Sequence, residues 1–216
     1  MLLFSMVAHE YAHAEAAYRQ GDDTAYMLGR LTMNPLKHID PFMTVLLPIL
    51  LWVTSGGRWT FGAAKPVPVN PRKYRNYVSG DIIVSLAGIA TNLVLFVVFT
   101  GVFALLGLLA QTFPQLTATF GILQNMARFG MLINLLLAFF NLIPIPPLDG
   151  SHVLYHLLPP AAGLQYRQFA RFGFLPIMAL TFFLPGVVQV LLWPAIKLMQ
   201  IGAGLVRGFA LPGVSL

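Results

Sequence analysis

The chain contains no cysteine. That absence excludes a disulfide framework and any thiolate-held metal site, and leaves the redox state of its compartment open. Charge is also scarce: 9% of the 216 residues are Asp, Glu, Lys or Arg, against 57% hydrophobic. Apolar segments this long and numerous exceed what one soluble core absorbs, so the composition is that of an integral membrane protein. There is room for one bundle of four to six spans and no separate soluble domain. Acidic residues are scarcest, seven against thirteen basic ones, for a net charge of +6. The basic residues cluster between apolar segments and are not interleaved with aromatics, which points to a lipid bilayer as partner and away from nucleic acid. A basic n-region is missing from the apolar N-terminus, so it does not read as a cleaved signal peptide. Internal repeats and low-complexity segments are absent too.

Against this background the stretch H-E-Y-A-H at residues 9–13 stands out. If residues 1–18 are helical, His9 and His13 lie one turn apart, offset by about 40° and ~6 Å, and both imidazoles face one way. Two neutral nitrogens on one face can grip a divalent metal. Glu10, on the adjoining face, can hold a water bound to that metal, which is the layout of a zinc hydrolase with Glu10 as general base. A shuffled chain of this composition produces the pattern at a rate on the order of 0.001. The plain alternative is a pair of helix-face histidines satisfied by polar neighbours in a membrane bundle.

A two-histidine grip needs a further carboxylate or imidazole. Among the few acids, Asp149 is the one placed at the end of an apolar span, in N-L-I-P-I-P-P-L-D-G at 141–150. An Asp in an Asp-Gly turn usually caps its own backbone, and that reading stays open for Asp149. His152 and His156 are themselves spaced four apart and could form a competing metal site, but no Glu lies between them to act as base.

The remaining chain divides by its punctuation. Residues 1–18 give a first helix of about 27 Å. With eight residues ahead of His9, the metal reaches mid-membrane depth only if Met1 begins inside the bilayer or further residues precede it. Gly21-Asp22-Asp23 ends this helix, residues 26–33 can form a short strand, and Asn34-Pro35 turns the chain. Residues 41–54 are apolar but short and carry Pro48, which favours a re-entrant or interfacial helix over a full span. Residues 56–79 hold Arg58, Lys65, Arg72, Lys73 and Arg75 with no acid, marking a cytoplasmic loop. In its A-K-P-V-P-V-N-P run, Pro66 and Pro68 remove two N–H groups from one edge and leave those of Val67 and Val69 on the other. That is either an edge able to capture an extended substrate or simply a stiff proline-rich loop.

Residues 82–110 form a long apolar helix in which Gly88 and Asn92 sit one turn apart, an arrangement that packing explains as well as function does. The uncharged segment 111–124 suits the opposite membrane face, residues 126–143 make the next span, and 174–198 make a last, proline-interrupted stretch. The expected fold is an all-α polytopic membrane protein forming a single domain over 1–216. It has four to five apolar helices, one short re-entrant segment and a small extended element in the cytoplasmic loop.

Five motifs in this order, H-E-Y-A-H, N-P-L-K-H-I-D-P at 34–41, A-K-P-V-P-V-N-P at 64–71, the Gly88–Asn92 pair and N-L-I-P-I-P-P-L-D-G, resemble those of the site-2 protease family of intramembrane zinc metalloproteases. The resemblance spans about 140 residues. It implies that His9, His13 and Asp149 ligate one Zn2+ per chain, that Glu10 activates water, and that Asn92 and Asn141 line the path of a membrane-spanning protein substrate. It also implies a multi-pass protein of the cell membrane with its site toward the cytoplasmic side. Two rivals remain. A membrane metal-ion transporter also uses embedded His and Asp ligands but needs no base beside the first ligand, and an inactive helix-binding relative has no reason to keep all four site residues.

Overall fold

The computed structural model describes residues 1–57, 60, 62 and 64–214; Arg58, counted above among the loop cations, lies outside the described residues. All regular elements among the described residues are helical, and no strand forms. The chain divides into two compact units, Met6–Gly88 and Ile89–Leu216 with Met1–Ser5.

In the unit Met6–Gly88, α1 (Leu2–Arg19) buries its small residues, with Ala14 and Ala17 fully enclosed. Arg19 in the last turn pairs with Glu15 one turn back, at the helix end that favours a cation. Gly21, at φ +106°, lets the chain leave the helix, and a Cβ there would meet the Lys73 carbonyl at 3.1 Å. The strand expected over 26–33 does not form. The fully buried Asp22 carboxylate accepts the N–H and hydroxyl of Thr24, which winds the chain into α2 (Thr24–Met27), and Gly29 at φ +63° then ends the turn. Asp40 caps the next segment by accepting from Phe42 and Met43, and a π-helical turn over Pro41–Leu46 runs into α3 (Leu47–Thr54). Together these give an apolar helix over Pro41–Thr54. At ~1.5 Å per residue it is about 21 Å long, short of the ~30 Å hydrocarbon layer.

The segment 64–70 is extended in neither ladder nor hairpin; it is pinned by side chains. Buried Arg30 donates through Nη2 to the carbonyls of Lys65 (2.9 Å) and Pro66 (3.4 Å), and the Asn70 N–H donates to Asp22 Oδ2. His38, also fully buried, bonds the Thr32 carbonyl through Nε2 at 2.8 Å, while its own carbonyl accepts from the Lys65 N–H. Arg30 is therefore a structural clamp. Val67 packs its side chain against Ala14, Ala25 and Leu31.

The other unit begins within α4 (Tyr77–Thr112), which runs 36 residues, starting five before the expected Ile82. A four-residue link leads to α5 (Thr117–Asn141), which begins nine residues earlier than the expected Met126, because the uncharged run after Pro114 contains no breaker. Then come α6 (Gly150–Leu157), α7 (Pro160–Arg167), α8 (Leu175–Phe183) and α9 (Pro185–Val206). The expected last stretch splits between α8 and α9 because Pro185 disfavours helical backbone at Leu184, which adopts φ −133°, ψ 53°. Three helices among the described residues are long and apolar enough to cross a membrane: Tyr77–Thr112, Pro114–Asn141 and Pro185–Phe209. Four to five were expected. α8 is only nine residues long, and α1 carries five ionisable side chains.

Phe103, Ala127 and Val206 form the centre of this unit. Beside them the buried Gln124 amide donates to the carbonyls of Phe103 (2.9 Å) and Phe209 (2.8 Å) and accepts from the Leu211 N–H (3.0 Å), using both ends of the group. Such a neutral amide fastens backbone where water is scarce.

Candidate metal centre and active site

α1 presents His9 and His13 on one face, only 7% and 9% exposed. His13 Nδ1 lies 2.7 Å from the Val84 carbonyl of α4. A carbonyl can only accept, so Nδ1 carries the proton and Nε2 of the neutral ring presents a lone pair. That Nε2 sits 2.9 Å from Nε2 of His9, with the rings edge to face at 82°. Two lone pairs at this distance repel unless a proton or a cation lies between them.

The donors fit zinc. With Zn–N bonds of ~2.05 Å, a 2.9 Å separation subtends about 90°, and a tetrahedral angle needs roughly 3.3 Å, a spreading of a few tenths of an ångström. Gly88 makes the space. A Cβ there would stand 2.6 Å from His13 Nε2 and from His9 Cε1 and Nε2, so any side chain would occupy the point where the two rings converge. The sequence left this glycine open between helix packing and function; its place against the imidazole tips was not legible from spacing.

Glu10 turns its carboxylate to the segment 64–70, and Oε2 accepts the Val67 N–H at 2.7 Å. The edge foreseen at Val67 and Val69 is thus altered: the Val67 N–H serves Glu10, while Val69 is 37% exposed. Arg30 and Asp22, which hold this segment near its two ends, were not singled out in the sequence. Asp22 was read only as part of the helix end at Gly21-Asp22-Asp23, and Arg30 as part of the strand expected over 26–33.

The other candidates lie in the second unit. Asn92 is fully buried in α4, one turn beyond Gly88, and Asn141 ends α5 with its amide donating to its own helix at the Leu137 carbonyl, 2.9 Å away. Asp149 stands at the N-cap of α6 but makes no capping bond with its side chain, so the ordinary role of an Asp-Gly turn is not the one it plays. Gly150 is required by close packing, since a Cβ would fall 2.2 Å from the Leu142 carbonyl. Tyr166 donates to the Pro144 carbonyl at 2.9 Å, fastening the proline loop that leads to Asp149; burial pushes its phenol above the usual range and keeps it a donor. His152 and His156 both lie on α6, and among the described residues no third ligand joins them.

Comparison with known proteins agrees with this chemistry. The family model for peptidase family M50 matches residues 1–184. YwhC of Bacillus subtilis (strain 168), named as a zinc metalloprotease, is 38% identical over 196 residues, 91% of this chain and 84% of its own length. Two proteins named Rip2, with the same zinc metalloprotease designation, are also similar. That of Mycolicibacterium smegmatis is 35% identical over 178 residues, 82% of this chain and 63% of its own length. That of Mycobacterium tuberculosis is 33% identical over 171 residues, 78% and 61% respectively. The chain therefore spans under two thirds of each Rip2 protein. No solved structure matches it. The family match runs through the histidine pair and Asp149 alike, and the chain belongs to peptidase family M50, the site-2 protease family, as a metalloprotease whose cofactor is Zn2+.

Proposed function

We propose that this metalloprotease hydrolyses a peptide bond in a membrane-spanning substrate helix, and that His9, His13 and Asp149 hold one zinc ion per chain. The observation that carries the reading is the convergent histidine pair, its tautomer set by Val84, with Glu10 on the adjoining face. Asp149 as third ligand is supported by how four of the six other acids are employed, Glu10 being the base and Asp81 lying buried in the first turns of α4. Glu15 pairs with Arg19, Asp22 binds Thr24 and Asn70, Asp23 pairs with Lys73, and Asp40 caps its own turn. Within 89–216 Asp149 is the only acidic residue.

Zinc supplies Lewis acidity at such a site, polarising a carbonyl and lowering the pKa of a coordinated water toward ~7. The chain's own groups do the rest. Glu10, with Oε2 held by the Val67 N–H, keeps Oε1 to take the proton of the attacking water and return it to the leaving amine. His13, braced on Val84, keeps its ring from turning as charge develops. Asn92 and Asn141 line the substrate path, and the exposed edge at Val69 meets substrate backbone that has unwound from its helix.

In this reading both units belong to one metalloprotease domain in a multi-pass cell-membrane protein. α1 adds a fourth span to the three, Pro41–Thr54 is re-entrant, and the site faces the cytoplasm. Because the chain has no cysteine, single cysteines at Thr24 and Ser79 report topology cleanly; both should react with an impermeant thiol reagent from the cytoplasmic side, and labelling from opposite sides would make 41–54 a full span.

The deciding experiment is Glu10→Gln, which keeps the shape and removes the base. Zinc stoichiometry should stay at one. Cleavage of a single-span substrate should fall by roughly 10²- to 10⁴-fold, about 3 to 5 kcal/mol of barrier. Unchanged cleavage would refute the assignment of Glu10.

A further inference from the structure

Arg128 is a cation inside a membrane-length helix, eleven residues after the start of α5 at Thr117. Its Nε is buried and has no hydrogen-bond partner among the described residues. The guanidinium carbon lies 6.0 Å from the Phe129 ring centroid, a weak contact for a half-buried charge. Within 89–216 five basic residues face a single acid, Asp149, which belongs to the proposed active site. A charge in a span is costly and is ordinarily matched by a partner, and the described residues supply no acidic one at Arg128.

Arg128 lines a groove of ≈ 970 Å³ together with Arg207, the exposed cation just beyond the C-terminal end of α9. Leu132 of α5 and Ile196 and Met199 of α9 make its apolar flank, and Gln200 adds a polar group. Lys197, whose Nζ bonds Gln200 Oε1 at 3.3 Å, brings a third positive charge to the same stretch of α9. The groove thus combines two guanidiniums with an apolar channel running along membrane helices, and no carboxylate among the described residues lines it.

We infer that this groove is a binding site for an anionic phospholipid. The phosphate sits against Arg128 and Arg207, where planar guanidiniums give charge-assisted, two-pronged hydrogen bonds. The acyl chains lie along Leu132, Ile196 and Met199. A free phosphate would leave that flank unused, and a second copy of this chain brings few anions, with seven acidic residues in all. Basic pockets between membrane helices take lipid headgroups by this chemistry.

Native mass spectrometry of the full chain in detergent, with phosphatidylglycerol or phosphatidylcholine of identical acyl chains, tests the site. One phosphatidylglycerol per chain should be retained, at least ~10-fold more tightly than phosphatidylcholine. Arg128→Gln and Arg207→Gln should each weaken retention several-fold, with zinc content unchanged, and millimolar inorganic phosphate should not displace the lipid. Arg207 is exposed at a helix end, so its variant keeps the test alive even if Arg128→Gln fails to fold. Equal retention of the two lipids, retention unaffected in Arg207→Gln, displacement by phosphate alone, or a dimer holding the groove in place of lipid would each overturn the inference.

Discussion

Asp22 and Gln124 perform the same task in different surroundings. Each is fully buried, and each fastens a stretch of irregular backbone to helices through three hydrogen bonds. Asp22, in the unit Met6–Gly88, accepts all three and ties the segment ending at Asn70 to the turn that starts α2. Gln124 sits between membrane-length helices, donates two bonds and accepts one, and ties the stretch from Phe209 to Leu211 onto α4 and α5. Where loops approach water, a charged acceptor is affordable and its bonds are stronger; where the surroundings are hydrocarbon, a neutral amide does the work without the cost of desolvating a charge. The groups proposed for the site divide along the same line. The histidine pair and Glu10 lie in the charge-rich unit, and the amides Asn92 and Asn141 lie in the apolar one.

The largest effects are expected at the proposed zinc ligands and the glycine beside them. Asp149→Ala should reduce bound zinc sharply, whereas replacing both His152 and His156 by Ala should leave one zinc per chain. The opposite outcome would assign the third ligand to α6 rather than to its cap. Gly88→Ala should lose zinc as severely as Asp149→Ala, because its methyl group would lie 2.6 Å from both Nε2 atoms. Metal analysis of the purified variants separates this from ordinary packing, for which Gly101→Ala on the same helix, with nothing within 4 Å, is the control and should be silent.

Next come exchanges of charge for amide. Gln124→Glu removes both donors, sets a carboxylate against the Phe103 and Phe209 carbonyls and buries a charge among apolar helices; a loss of at least ~3 kcal/mol is expected. It should show as early proteolysis beyond Val206. Asp22→Asn keeps one oxygen for Thr24 but turns an N–H toward that of Asn70, at a cost of about 1.5–3 kcal/mol. Thermal unfolding in one detergent compares the two. If Asp22→Asn proved the costlier, the contrast between aqueous and hydrocarbon surroundings would not be what selects these residues.

Much of this was legible beforehand, for a specific reason. A metal site compresses its requirements into short spacings, so His9, Glu10 and His13 announce themselves, and long apolar runs announce α4 and α5. Legibility fails where one side chain serves backbone far away in sequence. Arg30 reads as one residue of an expected strand, yet it binds carbonyls 35 and 36 residues on. The strand foreseen over 26–33 followed its residue types, and a single acceptor, Asp22, redirected the chain. Val67 was read as an open edge because the prolines beside it were visible and its partner, 57 residues earlier, was not. Gly88 was likewise ambiguous, since small residues serve helix packing and metal clearance alike.

The smallest effect sharpens the comparison from the solvent side. Lys73 donates from Nζ to Asp23 Oδ1 at 2.5 Å, with side chains 43% and 53% exposed. The hydrogen bond from Lys73, followed by its charge, lowers the Asp23 pKa, and the reciprocal bond raises that of Lys73. Asp23 therefore contributes above its ordinary value of 3.8, and that contribution is lost as pH falls through the lowered folded value. Lys73 contributes below its ordinary 10.5, and that is lost as pH rises through the raised folded value. The pair is intact across the neutral range, but water and salt screen it. Lys73→Met should leave the melting temperature at pH 7 unchanged within error, in low salt and high salt alike. A Lys73→Met loss as large as that of Asp22→Asn, one residue away from Asp23, would mean that burial is not what gives Asp22 its weight.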